Sequence, residues 1–313
     1  MPVMTTSRHS SEARVRPILK WAGGKRQLLP MLRRHYPATF DRYLEPFLGS
    51  GAVFLDCHNQ GLLDSCEVHL SDINADVIGC YRMVRDNVES VIDALGTLEA
   101  GHRVDGPRHF YAVRDEQFNA LRRDVHASAD PARAYTPSLA AMLIYLNRTG
   151  YNGLFRLNSR GGFNVPVGRH ARVTICDAPN LRHLSAALRR PGLSIEARRF
   201  EEALSDGRPG DFVYLDPPYA PVSRTAQFTS YTASGFGPEE QARLQQAVVR
   251  LARLGASILL SNSTAPDIRR LYANNVETRS AGLRATTVEA RRAINSRASR
   301  RGPVREYVIT NIV

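Results

Sequence analysis

Chemistry shows first in one short stretch, Phe212-Val213-Tyr214-Leu215-Asp216-Pro217-Pro218-Tyr219. Phe, Val, Tyr and Leu suit a strand buried on both faces. Two prolines then forbid its continuation, because each fixes φ, removes an N–H and restricts the residue before it. The predicted result is a stiff turn at the C-terminal end of a strand, the edge where open α/β sheets hold ligands. Asp216 and the Pro217 carbonyl are two hydrogen-bond acceptors on that turn, and Tyr219 adds a flat ring. Acceptors and a ring without a nucleophile suit an exocyclic amine on a nucleobase. Its nitrogen lone pair is delocalised into the base until acceptors bond both N–H groups and favour a tetrahedral nitrogen. The Tyr219 ring offers a surface on which the base could stack. The bland alternative is a strand end followed by a proline turn.

Further candidate residues lie near the N-terminus. Leu19-Lys20-Trp21-Ala22-Gly23-Gly24-Lys25 carries the only Trp, flanked by lysines, on a glycine hinge. The spacing of a phosphate loop is absent. The glycines let backbone approach a ligand closely, and Trp21 could pack on an aromatic ring. A core tryptophan before a helix over 27–35 is the alternative. Next, Arg42-Tyr43-Leu44-Glu45-Pro46-Phe47-Leu48-Gly49-Ser50-Gly51 predicts a strand running into a glycine turn and then a helix. The third glycine of the dinucleotide fingerprint is missing, which disfavours NAD or FAD. About twenty residues on, a second strand ends at Asp72, where a carboxylate can accept bonds from ribose hydroxyls. Asp72 or Asn74 could instead cap a helix over 75–95, whose Val77, Ile78, Tyr81, Val84, Val88 and Val91 share one face.

The elements that must position these residues are bounded by the whole chain. Its 313 residues allow one large domain with an insertion, or two domains. A formal charge of +12 suits a polyanionic partner, or solubility alone. No run has the length of a membrane-spanning helix. Residues 1–17 lack an apolar stretch, so a frayed basic arm is expected rather than a secretory signal. Cys57, Cys66, Cys80 and Cys176 show no C-x-x-C spacing, which predicts reduced thiols in a cytoplasmic protein and no metal site.

From about residue 96 to 193 the strand–helix alternation stops. Polar or Pro-rich loops are predicted over 101–107 and 127–137, and an apolar helix over 138–146. In 147–169 glycines punctuate aromatics, asparagines and arginines, which predicts a loop or hairpin. Arg, Asn and aromatic side chains are the donors, amide readers and wedges of base-edge recognition; a hairpin with solvated arginines is the alternative. After the proline turn, 227–231 is expected as a loop able to close over the site. A helix is predicted from Pro238 to Leu254, ended by Gly255, with Leu244, Ala247, Val248, Leu251 and Leu254 on one face. Residues 256–262 predict another buried strand, 284–305 an arginine-rich tail, and 306–313 a closing strand.

These stretches together carry a family likeness. Leu19-Lys20-Trp21-Ala22-Gly23-Gly24-Lys25, Glu45-Pro46-Phe47-x-Gly-x-Gly, Asp72-Ile73-Asn74, Leu146-Asn147-Arg148-x-Gly-Tyr151-Asn152-Gly153-Leu154-x-Arg156, Phe163-Asn164-Val165-Pro166 and Asp216-Pro217-Pro218-Tyr219, in this order, closely resemble the DNA adenine methylase (Dam) family. The likeness runs from about residue 18 to the C-terminus. It implies an α/β fold: a Rossmann-like S-adenosylmethionine-dependent methyltransferase sheet with an inserted, mostly helical DNA-recognition domain containing a β-hairpin. The divisions would be an arm over 1–17, a cofactor half over 18–95, a target-recognition insertion over 96–192 and a catalytic half over 193–313.

Family members methylate adenine N6 in duplex DNA, typically within GATC. By residue-for-residue match, the resemblance implies that Trp21, Lys25, Asp72 and Asp216 line the cofactor site, with Glu45, Gly49 and Gly51 at the glycine turn. Lys20 and Arg156 would read guanine, Leu154 and Pro166 would touch a thymine methyl, and Tyr151 and Asn152 would sit on a hairpin that wedges beside a flipped base. Arg169 would complete the DNA surface. The family often carries an aromatic hydroxyl where this chain has His170, which puts the outer base pair of the site in question. The implied setting is a cytoplasmic, nucleoid-associated monomer that acts on double-stranded DNA without a metal. Two rivals stay open: amino-methyl transfer to cytosine N4, RNA or a protein glutamine, and a catalytically silent DNA-binding protein.

Overall fold

The structure, a computed structural model, describes residues 14–21, 23–169, 173–220, 236–291 and 303–313. Seven strands form its sheet: β1 (Arg42–Glu45), β2 (Glu67–Asp72), β3 (Leu193–Ala197), β4 (Asp211–Leu215), β5 (Ser257–Ser263), β6 (Arg284–Arg291) and β7 (Pro303–Thr310). Their order is β3-β2-β1-β4-β5-β7-β6. The first five run parallel, and β7 then enters antiparallel between β5 and β6. From β1 the chain moves outward through β2 and β3, then returns to lay β4 against β1 on the other side. The strand order therefore reverses between β1 and β4, where an open α/β sheet leaves a crevice at its carboxyl edge. Glu45 ends β1, Asp72 ends β2, and Asp216 follows the last residue of β4. At the opposite edge a buried pair ties the same two strands: Arg42 donates from Nε and Nη2 to the Asp211 carboxylate at 2.9 and 2.7 Å.

β4 is buried along its whole length, as its apolar run predicts. Between β2 and β3 the described chain carries helices in the order Ala75–Asp86, Val88–Asp105, Pro107–Ala112, a π-helical turn Val113–Phe118, Asn119–His126, Pro137–Thr149 and Ala178–Leu188, with a largely non-helical stretch between the last two. Leu139, Leu143 and Phe118 from these helices share one core with Tyr43, Val68 and Phe212 from the sheet. The helix Pro238–Leu254 covers the other face, where Leu244, Val248 and Leu251 pack on Val213, Leu215 and Ile258. Among the described residues no helix is long and apolar enough to cross a membrane.

Several expectations are corrected. The helix over 27–35 is three short turns, Lys25–Gln27, Leu29–Leu32 and Arg33–His35; Pro30 sits in the first turn of the middle one, where its missing N–H is tolerated. The helix over 75–95 breaks at Asn87 and restarts, running on to Asp105, so the expected division at residue 95 falls inside it. Val77, Ile78, Tyr81, Val84 and Val91 are buried as expected, and Val88 is half-buried. The loop over 101–107 is instead a helix end and a helix start, with Gly106 at φ 52° between them and Pro107 opening the second. The arginine-rich segment begins with β6, an edge strand whose register partner β7 starts at Pro303, earlier than expected. Leu254 of the long helix is exposed rather than on its buried face. The loop over 227–231, His170 and most of the N-terminal arm lie outside the described residues.

Candidate active site and nucleic-acid interface

Three carboxylates meet at the carboxyl edge, each delivered by a strand end. Asp72 is fixed by backbone: its Oδ2 accepts from Gly49 N–H and its Oδ1 from Asn74 N–H, both at 2.9 Å. The capping role falls to Asn74, whose side chain accepts from Asp76 N–H at the start of the helix Ala75–Asp86. Burial pushes the Asp72 carboxyl up to about 6, against those N–H bonds. Glu45 is buried, with the Tyr43 hydroxyl and Phe54 N–H both donating to Oε2, at 2.8 and 3.1 Å. Burial drives its carboxyl up to about 8, the Tyr43 and Phe54 bonds opposing, and the charges of Asp216 and Asp72 adding to the rise.

Asp216 is met by Lys25, whose ammonium lies 2.8 Å from Oδ1 and is itself only 3% exposed. Burial raises the Asp216 carboxyl to about 6, while Lys25 pulls it down and Glu306 of β7 pushes it up. The Lys25 ammonium also donates to the Gly23 carbonyl at 2.6 Å and sits 4.7 Å over the Tyr219 ring. The Tyr219 hydroxyl donates to Glu306 Oε2 at 2.7 Å. One lysine thus joins the glycine hinge to both the acid and the ring of the proline turn. The turn is braced from behind: Gln241 donates to the Pro218 carbonyl, Asn262 donates to Gln241, and Ser263 donates to the Ala220 carbonyl. The carbonyl that Gln241 ties back is that of Pro218, not Pro217.

The glycine turn has the backbone it needs. Gly49 and Gly51 stand at φ 47° and 61°, where glycine carries no steric penalty. A Cβ at Gly49 would come 2.8 Å from the Trp21 ring, so Trp21 lies directly on the turn. Phe155 stacks on the Trp21 ring at 5.4 Å between centroids.

The stretch 151–168 is a hairpin in its pairing but not in strand content. Only the isolated antiparallel bridges Gly150–Val167 and Leu157–Phe163 form, because glycines and a short 3-10 turn at Tyr151–Gly153 interrupt any ladder. Asn152 takes φ 54°, a left-handed conformation asparagine tolerates. Tyr151 is exposed and its N–H donates to the Pro166 carbonyl at 2.8 Å. Lys20 lies against the same turn, since a Cβ at Gly153 would come within 2.5 Å of its side chain. Arg156 is exposed, with Nε donating to Asn164 Oδ1 at 2.7 Å and Nη2 to the Asn164 carbonyl at 3.2 Å. Leu154 is half-buried against the core, Pro166 is exposed, and Arg169 lies exposed just beyond the last pairing, Gly168 N–H to the Thr149 carbonyl.

The residues expected from the sequence therefore fall into two groups. Trp21, Lys25, Glu45, Gly49, Gly51, Asp72, Asp216, Pro217 and Tyr219 come to the sheet edge. Lys20, Tyr151, Asn152, Leu154, Arg156 and Pro166 lie on or against the hairpin. Within the second group Lys20 is tied to the hairpin turn by Asn147, which carried no assigned role. Its buried amide accepts from Lys20 N–H at 2.7 Å and donates to the carbonyls of Lys20 and Gly153 at 2.8 and 2.9 Å. Ile73 was likewise unassigned, and is a large apolar side chain left half exposed beside Asp72. Glu306 and Gln241 gave no signal in the sequence because each acts across a long chain separation. Among the described residues no group of three or more His, Cys, Asp or Glu side chains is placed so that it could hold a metal ion.

A family model described as D12 class N6 adenine-specific DNA methyltransferase matches residues 21–294. Similar proteins span nearly the same length. A Type II methyltransferase M1.LlaDCHI of Lactococcus lactis subsp. cremoris is 34% identical over 297 residues, 95% of each chain. A Type II methyltransferase M.MjaIII of Methanocaldococcus jannaschii is 36% identical, over 92% of this chain and 95% of its own. The DNA adenine methylase of Escherichia coli K12 is 33% identical over 94% of both.

Proposed function

The chain belongs to the D12 class of N6 adenine-specific DNA methyltransferases, and from that premise we propose that it methylates adenine N6 within GATC in duplex DNA, taking the methyl from S-adenosylmethionine. The observation that carries this reading is Asp216, an acid fixed behind two prolines and against Lys25 where the strand order reverses.

The residues at the ends of β1 and β2 fit such a donor. With Glu45 held largely protonated at neutral pH, the carboxylates of Asp72 and Asp216 still outnumber the ammonium of Lys25, a balance that favours a cationic ligand. Asp72 keeps acceptor capacity for ribose hydroxyls beyond its two N–H partners, and Ile73 beside it is an apolar shelf for a purine ring. Gly49 lets the turn pass close beneath Trp21. When bound, S-adenosylmethionine supplies a sulfonium methyl that N6 takes directly and in line, with no covalent enzyme intermediate.

The protein's work is to present N6. The target adenine leaves the stack, because an exocyclic amine inside a duplex is out of reach of the site. Asp216 and the Pro217 carbonyl accept the two N6–H bonds, which strengthen as nitrogen becomes tetrahedral. Lys25 covers one face of Tyr219, so the base stacks on the other. Lys20 and Arg156 read guanines, Leu154 and Pro166 meet a thymine methyl, Tyr151 and Asn152 wedge into the gap left by the base, and Arg169 contacts the backbone. The formal charge of +12 supports the phosphate contacts. The segment 96–192 is then the target-recognition insertion, and the protein acts as a monomer on the nucleoid.

The test is to treat unmethylated plasmid with protein and labelled S-adenosylmethionine and map the modified bases. N6-methyladenine confined to GATC is expected. Asp216→Ala should bind DNA and lose the methylation; a variant retaining more than about a tenth of wild-type kcat would remove Asp216 from its role.

A further inference from the structure

The return arm of the hairpin, residues 161–168, is bonded along both edges although it belongs to no sheet. On one edge its even-numbered residues pair with the outgoing arm: Asn158 N–H donates to the Gly162 carbonyl, Asn164 N–H to the Arg156 carbonyl, and Tyr151 N–H to the Pro166 carbonyl. On the other edge no strand is present among the described residues, and side chains take its place. Arg122 Nη1 donates to the Gly161 carbonyl at 2.7 Å. The Asn119 amide donates to the Phe163 carbonyl at 3.1 Å and accepts from Phe163 N–H at 2.8 Å, as a paired strand residue would. Arg114 Nη1 donates to the Val165 carbonyl at 3.0 Å. The rungs fall on 161, 163 and 165, the period of a strand.

The spacing of the rungs depends on the π-helical turn Val113–Phe118. In an α-helix, residues five apart are rotated about 140° from one another, which would put Arg114 and Asn119 on different faces. Asn119 N–H instead bonds the Arg114 carbonyl across the π turn, so the two stack, and Arg122 comes one α-helical turn later. Phe163 and Val165 face the core, fully buried, while Asn164 and Pro166 face outward. A slip of one residue would exchange these faces. Arg122 is in turn anchored on buried Asp76, with Nη2 2.8 Å from Oδ2. Asp76 also accepts from Tyr135 and pairs with His126 Nε2 at 3.1 Å.

We infer that Arg114, Asn119 and Arg122 are specificity-determining positioning residues: acting as a surrogate strand, they lock the register of the return arm and so hold Asn164, its partner Arg156 and Pro166 toward DNA. The inference rests on the hairpin being the element that reads DNA. It places target discrimination partly in residues that need touch no base.

The test compares wild type, Asn119→Ala and Arg122→Lys on duplexes carrying GATC or one substituted base pair within it, at fixed salt, as ratios of kcat/KM. Lysine keeps a cation opposite Asp76 but lacks the separate guanidinium nitrogen, Nη1, that donates to the Gly161 carbonyl, so it removes the rung and leaves the buried pair. The expected result is a fall of about tenfold in discrimination in each variant, with cooperative melting and S-adenosylmethionine affinity retained. Unchanged ratios in the folded variants would overturn the inference, because a purely structural Asp76 pair is satisfied by lysine. If Asn119→Ala fails to fold, Arg122→Lys decides by the same criterion. A wild type that methylates every duplex alike would instead overturn the hairpin as reader, and one that methylates no adenine would overturn the reading of the site.

Discussion

Replacing Lys25 by methionine should move the acid limb of the pH–rate profile upward. The ammonium stands 2.8 Å from Asp216 Oδ1, and at 3% exposure little water screens the pair. With Lys25 in place the Asp216 carboxyl titrates at about 6, burial raising it and the ammonium restraining it. A close opposite charge displaces a carboxyl by about 1–3 units, worth roughly 1.4–4 kcal/mol. Without it, half-ionisation of Asp216 should fall at about pH 7–9. The ionised form is the one that accepts N6–H, so at pH 7 its fraction falls from about nine-tenths to between about a half and a hundredth. The assay is kcat/KM for S-adenosylmethionine on a saturating GATC duplex from pH 5 to 9.5, because that ratio reports the enzyme free of the donor. Lys25→Met should approach wild-type activity at the alkaline end. A loss of equal size at every pH would refute the electrostatic role and leave Lys25 as a packing contact for Tyr219.

Asp72→Ala should weaken S-adenosylmethionine binding by about 1.5–3 kcal/mol, the range for a hydrogen bond to a charged group, and spare DNA affinity; calorimetry with each ligand checks both. Arg156→Ala should relax discrimination at one guanine–cytosine pair by about 1–3 kcal/mol, whereas a uniform loss across single-substituted duplexes would make Arg156 a phosphate anchor. Glu45→Gln should raise the melting temperature of the ligand-free protein at pH 8.5 and leave it nearly unchanged at pH 5. The Glu45 carboxyl is raised from 4.5 to about 8 by folding, so its contribution is full below about 4.5 and is lost as pH rises toward 8, at roughly 1.4 kcal/mol per unit. Glutamine removes that slope while its carbonyl can still accept from Tyr43 and Phe54; equal melting curves at the two pH values would refute it.

What the sequence made legible was chemistry that acts locally. The apolar run ending in Asp-Pro-Pro became β4 and the Asp216 turn, because proline constraints need no tertiary context. The helix Pro238–Leu254 ran between its expected bounds, with Gly255 at φ 94°, because Pro at the start and Gly after the end are backbone requirements. The same punctuation misled over 101–107: Gly106 and Pro107 mark a junction between two helices as readily as a loop. In β6 the arginines disguised a strand. At an edge one side of each residue meets water, so charge is tolerated and serves to block further pairing.

The hairpin shows where local chemistry stops carrying information. Its composition pointed to base reading, yet the buried Phe163 and Val165 specify its register only in part, and glycine-rich arms with so few paired residues need a further specification. That specification lies some forty residues earlier, in Arg114, Asn119 and Arg122. Their spacings of five and three fit no single helical period, and a π turn is not foreseeable from propensity. Asn147 makes the same point from the other side. It lies beside Arg148 in a stretch rich in base-reading side chains, but its amide is spent on the backbone of Lys20 and Gly153. Holding two segments from distant parts of the chain in one place requires a buried, fully bonded amide, and only the fold can show which asparagine that is.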